Sequence, residues 1–277
     1  MATVDLLTII FEVILWRISY YYFSGTFLDI TPMCSAISAL GQAATDCSVW
    51  FTVTFTFDRF VPICCQKRKS EYCTEKTAAV VITTTGVLFC FKNVPYLFVF
   101  HPVKVIDNIP WDCTRKPSTY TDPGWVGHNW LSAVLTPLLS FVLILLFNAL
   151  TVRHILVTSR VRKGLRGQSK AENRSDPEME SRRRSVILLL TISGSFIILW
   201  SVNVTEFLYY TIAGLDQNNY NDSEYIFQHT GGMLMILSCC TNTFVYGVTQ
   251  SKFREQFIST AKYPLTSIIQ IINDQII

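Results

Sequence analysis

The sequence predicts an all-α membrane protein, a bundle of six transmembrane helices. Apolar residues make up 50% of the chain and charged residues 16%, against about 25% charged in an ordinary soluble domain. The apolar residues gather in runs of the ~20-residue length that crosses a bilayer as helix. None of the runs alternates polar with apolar over ~10-residue blocks, as the strands of a membrane barrel do.

The first run covers about 2–23 and lacks the basic leader and small-residue cleavage site of a secretory signal. The second, about 30–61, ends in Asp58-Arg59-Phe60, with Lys67, Arg68 and Lys69 just beyond. The third, about 76–100, contains VVITTTGVLFCFKNVPYLFVF, and the fourth, about 129–157, contains WLSAVLTPLLSFVLILLFNAL. The fifth, about 183–213, contains SVILLLTISGSFIILW, and the sixth covers about 224–249. An amphipathic helix over about 251–262 would complete a transmembrane domain of residues 1–262, leaving 263–277 as a cytoplasmic tail. The stretch GLRGQSKAENRSDPEMESRRR is polar and of mixed charge, a loop that no core could bury.

Basic residues set the orientation. The loop that opens at Arg59, the segment 153–184 and the tail after 250 hold 18 of the 23 Lys and Arg. Positive loops stay in the cytoplasm, so the segments 24–31, 101–128 and 214–224 lie outside. The net charge of +3 reports topology and gives no ground for nucleic-acid binding. Of the nine cysteines, Cys34 and Cys113 alone face the oxidising side and can form one disulfide. His101, His128, His154 and His229 show no metal-ligand spacing.

Asp58-Arg59 is costly at the inner mouth of a membrane helix. It reads as a switch, or as an anchor whose ends snorkel to the headgroups. The remaining motifs favour the switch. Asn242-Thr243-Phe244-Val245-Tyr246 resembles the last-helix motif of the rhodopsin-like (class A) G-protein-coupled receptors, with Thr for Pro. Asp58-Arg59-Phe60 resembles the same family's acid-Arg-aromatic triplet, and Trp200 its sixth-helix toggle tryptophan. Pro137 resembles the fifth-helix proline, and Asp5 the second-helix aspartate. CSVWFTVTFTFDRF and TISGSFIILW are similar to the branch that includes G-protein coupled receptor 139.

That resemblance implies a seven-helix receptor bundle lacking helix 1 and the inner half of helix 2, because only four residues precede Asp5. It implies a small extracellular ligand, an aromatic amino acid in that branch, and a heterotrimeric G protein of the Gq class inside. It gives Asp58, Arg59, Phe60, Trp200, Asn242 and Tyr246 switch and coupling roles, and Cys34–Cys113 the extracellular-loop disulfide. Asp5, Ser48, Ser238 and Asn242 offer oxygen atoms for an allosteric sodium ion, or interhelical hydrogen bonds. Asp5 is expected near water, so close to the start of the chain.

The outward pocket would be lined by Gln42, Thr45 and Asp46 from the second run and by Asn203, Glu206 and Phe207 beside Trp200. His229 and Gly232 would complete it, and each of these positions is otherwise a packing residue. An amino-acid ligand needs an acid and a cation; Arg17 and Lys92 are the available cations, with no sign in the sequence that either faces the pocket. Competing readings are a non-signalling truncated paralogue, a six-span transporter and an intramembrane enzyme. A transporter would show paired repeats or broken helices, and an enzyme a catalytic cluster at one depth; neither is visible.

Overall fold

The computed structural model describes residues 2–23, 25–65, 72–166, 177–213 and 221–249, with Glu255 and Ser259. The first span is one continuous helix in three parts: α1 (Ala2–Thr8), a π-helical stretch Ile9–Ile18, and α2 (Ser19–Tyr22). Next come α3 (Thr31–Cys64) and α4 (Glu75–Asn93), the latter followed by a 3₁₀ turn over Val94–Phe98. After an outer loop, α5 (Ser118–Thr121) precedes α6 (Pro123–Ala133), a π-helical turn Val134–Leu138 and α7 (Leu139–Arg166). The long helices α8 (Pro177–Ala213) and α9 (Asp222–Thr249) complete the described bundle. The expected all-α membrane bundle is what forms.

Local chemistry sets the helix ends. Thr74 caps α4 by accepting from the Thr77 amide, and Asp122 caps α6 by accepting from Gly124 with Pro123 behind it. Pro137 has no amide to give, and the chain answers by widening into the π turn at that point. Inside the bundle, hydroxyls return to their own helix: Thr8 donates to Val4, Thr52 to Ser48 and Thr56 to Thr52. Such back-bonding keeps a polar side chain satisfied where no water is present.

Helix α3 is the axis of the bundle, touching the first span, α4, α7 and α8. Among the described residues, three segments are long and apolar enough to cross a membrane on length and composition alone: Glu75–Phe98, Pro123–Thr158 and Val186–Tyr210. Helix α3 falls short because it buries Ser35, Thr45, Asp46, Ser48, Thr52 and Thr56, polar residues that neighbouring helices shield from lipid. Val49 and Val53 of α3 pack with Ile144, Phe196 and Trp200 in the central cluster. Lipid tails are as apolar as these side chains, so close packing and interhelical hydrogen bonds hold the cluster together.

The outer loop departs from plain coil. Strands β2 (Lys104–Ile106) and β3 (Ile109–Trp111) form a hairpin, and β1 (Phe100–His101) pairs with β4 (Thr114–Arg115) behind it. Asp107 and Asn108 turn the hairpin at φ of 51° and 61°, the left-handed pair that a tight two-residue connection requires. Cys34 and Cys113 are joined, with Cα atoms 6.5 Å apart, pinning the loop to the head of α3. Thr31 adds a hydrogen bond to the Asp112 carbonyl at 2.8 Å, and the Asp112 amide returns one to Asp29 at 2.8 Å.

Candidate functional site

The inner end of α3 carries Asp58, Arg59 and Phe60, the triplet expected to act as a switch. Arg59 Nη2 lies 3.5 Å from Asp58 Oδ2, and the two side chains are 39% and 46% exposed. The guanidinium sits 5.2 Å from the centre of the Phe55 ring. Its Nε has no hydrogen-bond partner among the described residues. Phe60 packs with Phe57 and Phe147, at ring separations of 6.3 and 5.5 Å, and so joins α3 to α7. The arrangement is a cation on an aromatic shelf, weakly held by its neighbour and open to the cytoplasmic side.

At mid-membrane, Asp5 is 2% exposed and accepts a hydrogen bond from Ser48. Its burial, against the expected nearness to water, comes from α3 and α9 closing over it. Cys239, next to Ser238 on α9, is buried as well. Trp200 Nε1 donates to Ser238 at 3.0 Å, and Ser238 donates to the Met235 carbonyl at 2.6 Å. Asp5, Ser48 and Ser238 therefore sit at one depth, an oxygen set that suits a small hard cation. Asn242 and Tyr246 lie on α9, and their side chains fall outside the described residues. Among the described residues no group of three or more His, Cys, Asp and Glu gathers as a metal site.

The outer pocket differs from a simple list of lining positions. The Asp46 carboxylate accepts three hydrogen bonds: Lys92 donates at 2.6 Å, Asn93 at 2.7 Å and Thr136 at 2.6 Å. Lys92 faces this acid, so the pair ties α3 to α4 and to the π turn beside α7. Thr45, its neighbour, is buried with a hydroxyl that has no partner among the described residues. Gln42 is half-buried one turn above. Asn203 lies against Gly231, whose added Cβ would come within 3.2 Å of the Asn203 Cα, so α8 and α9 touch backbone to backbone there. Glu206 is 7% exposed one turn further out. Phe207 meets Trp130 edge to face at 5.7 Å.

Arg17 is the residue that sequence reasoning left without a place. Its Nη1 lies 3.3 Å from His229 Nδ1. A Cβ on Gly232 would stand 2.9 Å from its Nη2, so the guanidinium lies directly over the glycine and would have to shift for a larger residue. Glu12 faces inward too, against Gly41 of α3, where an added Cβ would meet its carboxylate at 2.5 Å. Hydrogen bonding from i to i+5 through Ile9–Ile18 brings residues five apart toward one face. Glu12 and Arg17 are five apart, and an ordinary helix would turn one of them to lipid. The signal available in sequence was two opposite charges inside an apolar run, which membrane helices carry only toward protein.

A family model described as 7 transmembrane receptor (rhodopsin family) matches residues 1–246. Neuropeptide receptor 22 of Caenorhabditis elegans is 24% identical over 267 residues, covering 93% of this chain and 59% of that protein. The FMRFamide receptor of Drosophila melanogaster is 23% identical over 276 residues, covering 93% of this chain and 46% of that protein. The chain thus spans about half the length of these relatives. The family is one of multi-pass plasma-membrane receptors and contains no enzyme chemistry. With 246 of 277 residues matched, the chain belongs to the rhodopsin family of seven-transmembrane receptors.

Proposed function

We propose that the chain is the membrane core of a G-protein-coupled receptor for a short peptide. The observation that carries this reading is Arg17, an inward-facing guanidinium whose Nε has no partner among the described residues. A buried donor of this kind calls for an acceptor. A peptide supplies one in its terminal carboxylate or amide carbonyl. Glu206, on α8, is a separate acid that would take a basic group of the same ligand. Above them the hairpin exposes Val103, Val105, Ile106 and Ile109, apolar contacts suited to a ligand longer than one residue. The relatives named for neuropeptides and FMRFamide support the same reading.

Ligand contact at Arg17 and His229 would shift α9 against α8, and the Trp200–Ser238 hydrogen bond spans that seam. Movement of α8 away from α3 would then free Arg59 to meet a G protein. Sodium held by Asp5, Ser48 and Ser238 would favour the resting arrangement. A second reading keeps an aromatic amino acid as agonist, favoured by the Trp130–Phe207 and Tyr225–His229 ring pairs at 5.7 and 4.1 Å. Coupling through the Gq class is what the resemblance to one branch of the family implies.

The test is a calcium and inositol-phosphate assay, with a cyclic AMP assay beside it, on cells expressing the receptor. Amidated short peptides and free aromatic amino acids are titrated in parallel. A peptide response that Arg17→Gln weakens by ~10- to 100-fold, the value of one or two hydrogen bonds to a charged group, is expected. A response to free tryptophan or phenylalanine alone would move the assignment to the second reading. A cyclic AMP response without calcium would remove the Gq class.

A further inference from the structure

We propose that Arg17 and His229 form a proton-gated clamp for a carboxylate at the outer end of the bundle. With His229 neutral, Arg17 alone is left to meet an acceptor. With His229 protonated, two cations face each other, and a ligand carboxylate joins them. The clamp rests on the assignment of Arg17 as the anchor of the ligand, and it names the chemical class of the group taken there.

The geometry fixes the protonation state of the pair as it stands. Arg17 Nη1 lies 3.3 Å from His229 Nδ1. A guanidinium has donors only, so Nδ1 offers its lone pair and the ring is neutral, with its proton on Nε2. A proton on Nδ1 would set donor against donor and cation against cation. The surroundings keep the two groups close. The guanidinium lies over Gly232, 2.9 Å from where a Cβ would stand, and the Tyr225 ring lies 4.1 Å from the imidazole. Tyr225 is joined in turn to Tyr21 of the first span, hydroxyl to hydroxyl at 3.4 Å. An aromatic face beside an imidazole accommodates its charged form.

No acid offsets the second charge. His229 is approached by Arg17 from the first span and by Tyr225 from its own helix. Of the acids in this half of the bundle, Glu12 lies against Gly41 of α3, Glu206 is buried on α8, and Asp222 and Glu224 open α9. None of them forms an ion pair with Arg17 or His229 among the described residues. Arg17 Nε is buried with no hydrogen-bond partner among those residues. The protonated pair therefore lacks an anion, and a carboxylate, with two oxygens, can accept from both groups at once. An amide carbonyl brings no charge to set between them. The Arg17–His229 contact is present while the ring is neutral and is lost as pH falls through its titration, which for a free imidazole lies at ~6.5. Affinity for a carboxylate rises over the same interval.

The test uses the full chain in lipid nanodiscs and two probes. N-acetylphenylalanine is a carboxylate at both pH values used, and N-acetylphenylalaninamide is its neutral counterpart. The melting temperature with each probe, relative to the same pH without it, is followed at about pH 7.5 and about pH 5.5, on either side of the imidazole range. The carboxylate is expected to raise it by at least ~2 °C at the lower pH and not at the higher, the mark of a ligand held by the folded state. The amide should show no such difference. His229→Gln and Arg17→Gln should each abolish the acid-dependent shift, and the probe-free melting curve of each variant shows that it is folded. His128→Gln, at the outer end of α6, should leave the shift intact. A carboxylate shift equal at the two pH values, an equal shift with the amide, or no shift at all overturns the clamp. So does an acid-dependent shift that survives His229→Gln or disappears in His128→Gln. No agonist enters this measurement. A receptor that shows the shift but ignores peptides in the calcium assay refutes the peptide reading alone, and one that answers peptides without the shift refutes the clamp alone.

Discussion

Helix α3 contributes to two acid–base pairs, its acids Asp46 and Asp58 twelve residues apart, and the two pairs stand in opposite surroundings. Asp46 and Lys92 meet at 2.6 Å with side chains 5% and 11% exposed, and Asn93 and Thr136 complete the carboxylate shell. Asp58 and Arg59 meet at 3.5 Å with side chains 46% and 39% exposed. The outer pair is dry, joins three segments of the bundle and gives its carboxylate three hydrogen bonds. The inner pair is wet, joins neighbours in sequence and leaves Arg59 Nε without a partner among the described residues. Removing one member of a buried pair strands a charge at a cost of about 3–5 kcal/mol. An exposed pair is worth about 0–1 kcal/mol. The same chemistry is thus a buried brace at one end of the helix and a weak, exposed contact at the other.

The comparison breaks hardest at Asp46. Asp46→Ala should destabilise the bundle by about 3–5 kcal/mol, with thermal unfolding in detergent and surface labelling as the readouts. Asp46→Asn combined with Lys92→Met should recover most of that loss; no recovery would mean that the pair is not the source of the cost. Next in size is Cys113→Ser, which opens the link to Cys34 across 79 residues and should cost about 2–4 kcal/mol. Loss of outer-loop antibody binding before loss of bundle helicity on heating is the expected pattern.

Ser238→Ala removes the acceptor of Trp200 and should cost about 1 kcal/mol. Its sharper effect is a shift in basal signalling, read as inositol phosphate without agonist; an unchanged basal level would detach Trp200 from the switch. The smallest effect on stability is expected at the inner pair. Asp58→Asn should move the melting curve by less than about 1 kcal/mol while raising basal signalling. A large fall in stability there would make the inner pair a brace like the outer one.

Much of this was legible in the chain. Apolar runs of bilayer length announce helices because lipid leaves the backbone no other partner than itself. The triplet at Asp58 and the acid at Asp5 stand out because charge is expensive in such runs. The face each residue presents was not legible. Spans apolar on nearly all sides carry no stripe from which to read orientation, so Lys92 could not be paired with Asp46, 46 residues away. Arg17 was hidden for a different reason: its direction depends on the π-helical path of Ile9–Ile18, and that stretch holds neither Pro nor Gly to announce it. The hairpin did leave a signal, the Asp107-Asn108 turn between β-branched residues.

The π turn at Val134–Leu138 makes residue count a structural quantity. A wide turn spends one residue more than an α-helical turn, and each residue of an α-helix is worth about 100° of rotation. Deleting a single residue there would let the turn close into regular α-helix and remove that surplus, leaving the segments on either side in nearly their present phase. Thr136 sits inside the turn and is fastened to Asp46, so the outer part is held. A deletion just beyond the turn in the regular helix, with nothing to absorb it, would instead carry Arg153 and Arg160 about a quarter-turn around the axis. The wide turn is therefore the place in this span where length can change by one residue with least effect on the cytoplasmic surface, and the same change elsewhere in α7 would reprogram that surface without altering any residue on it.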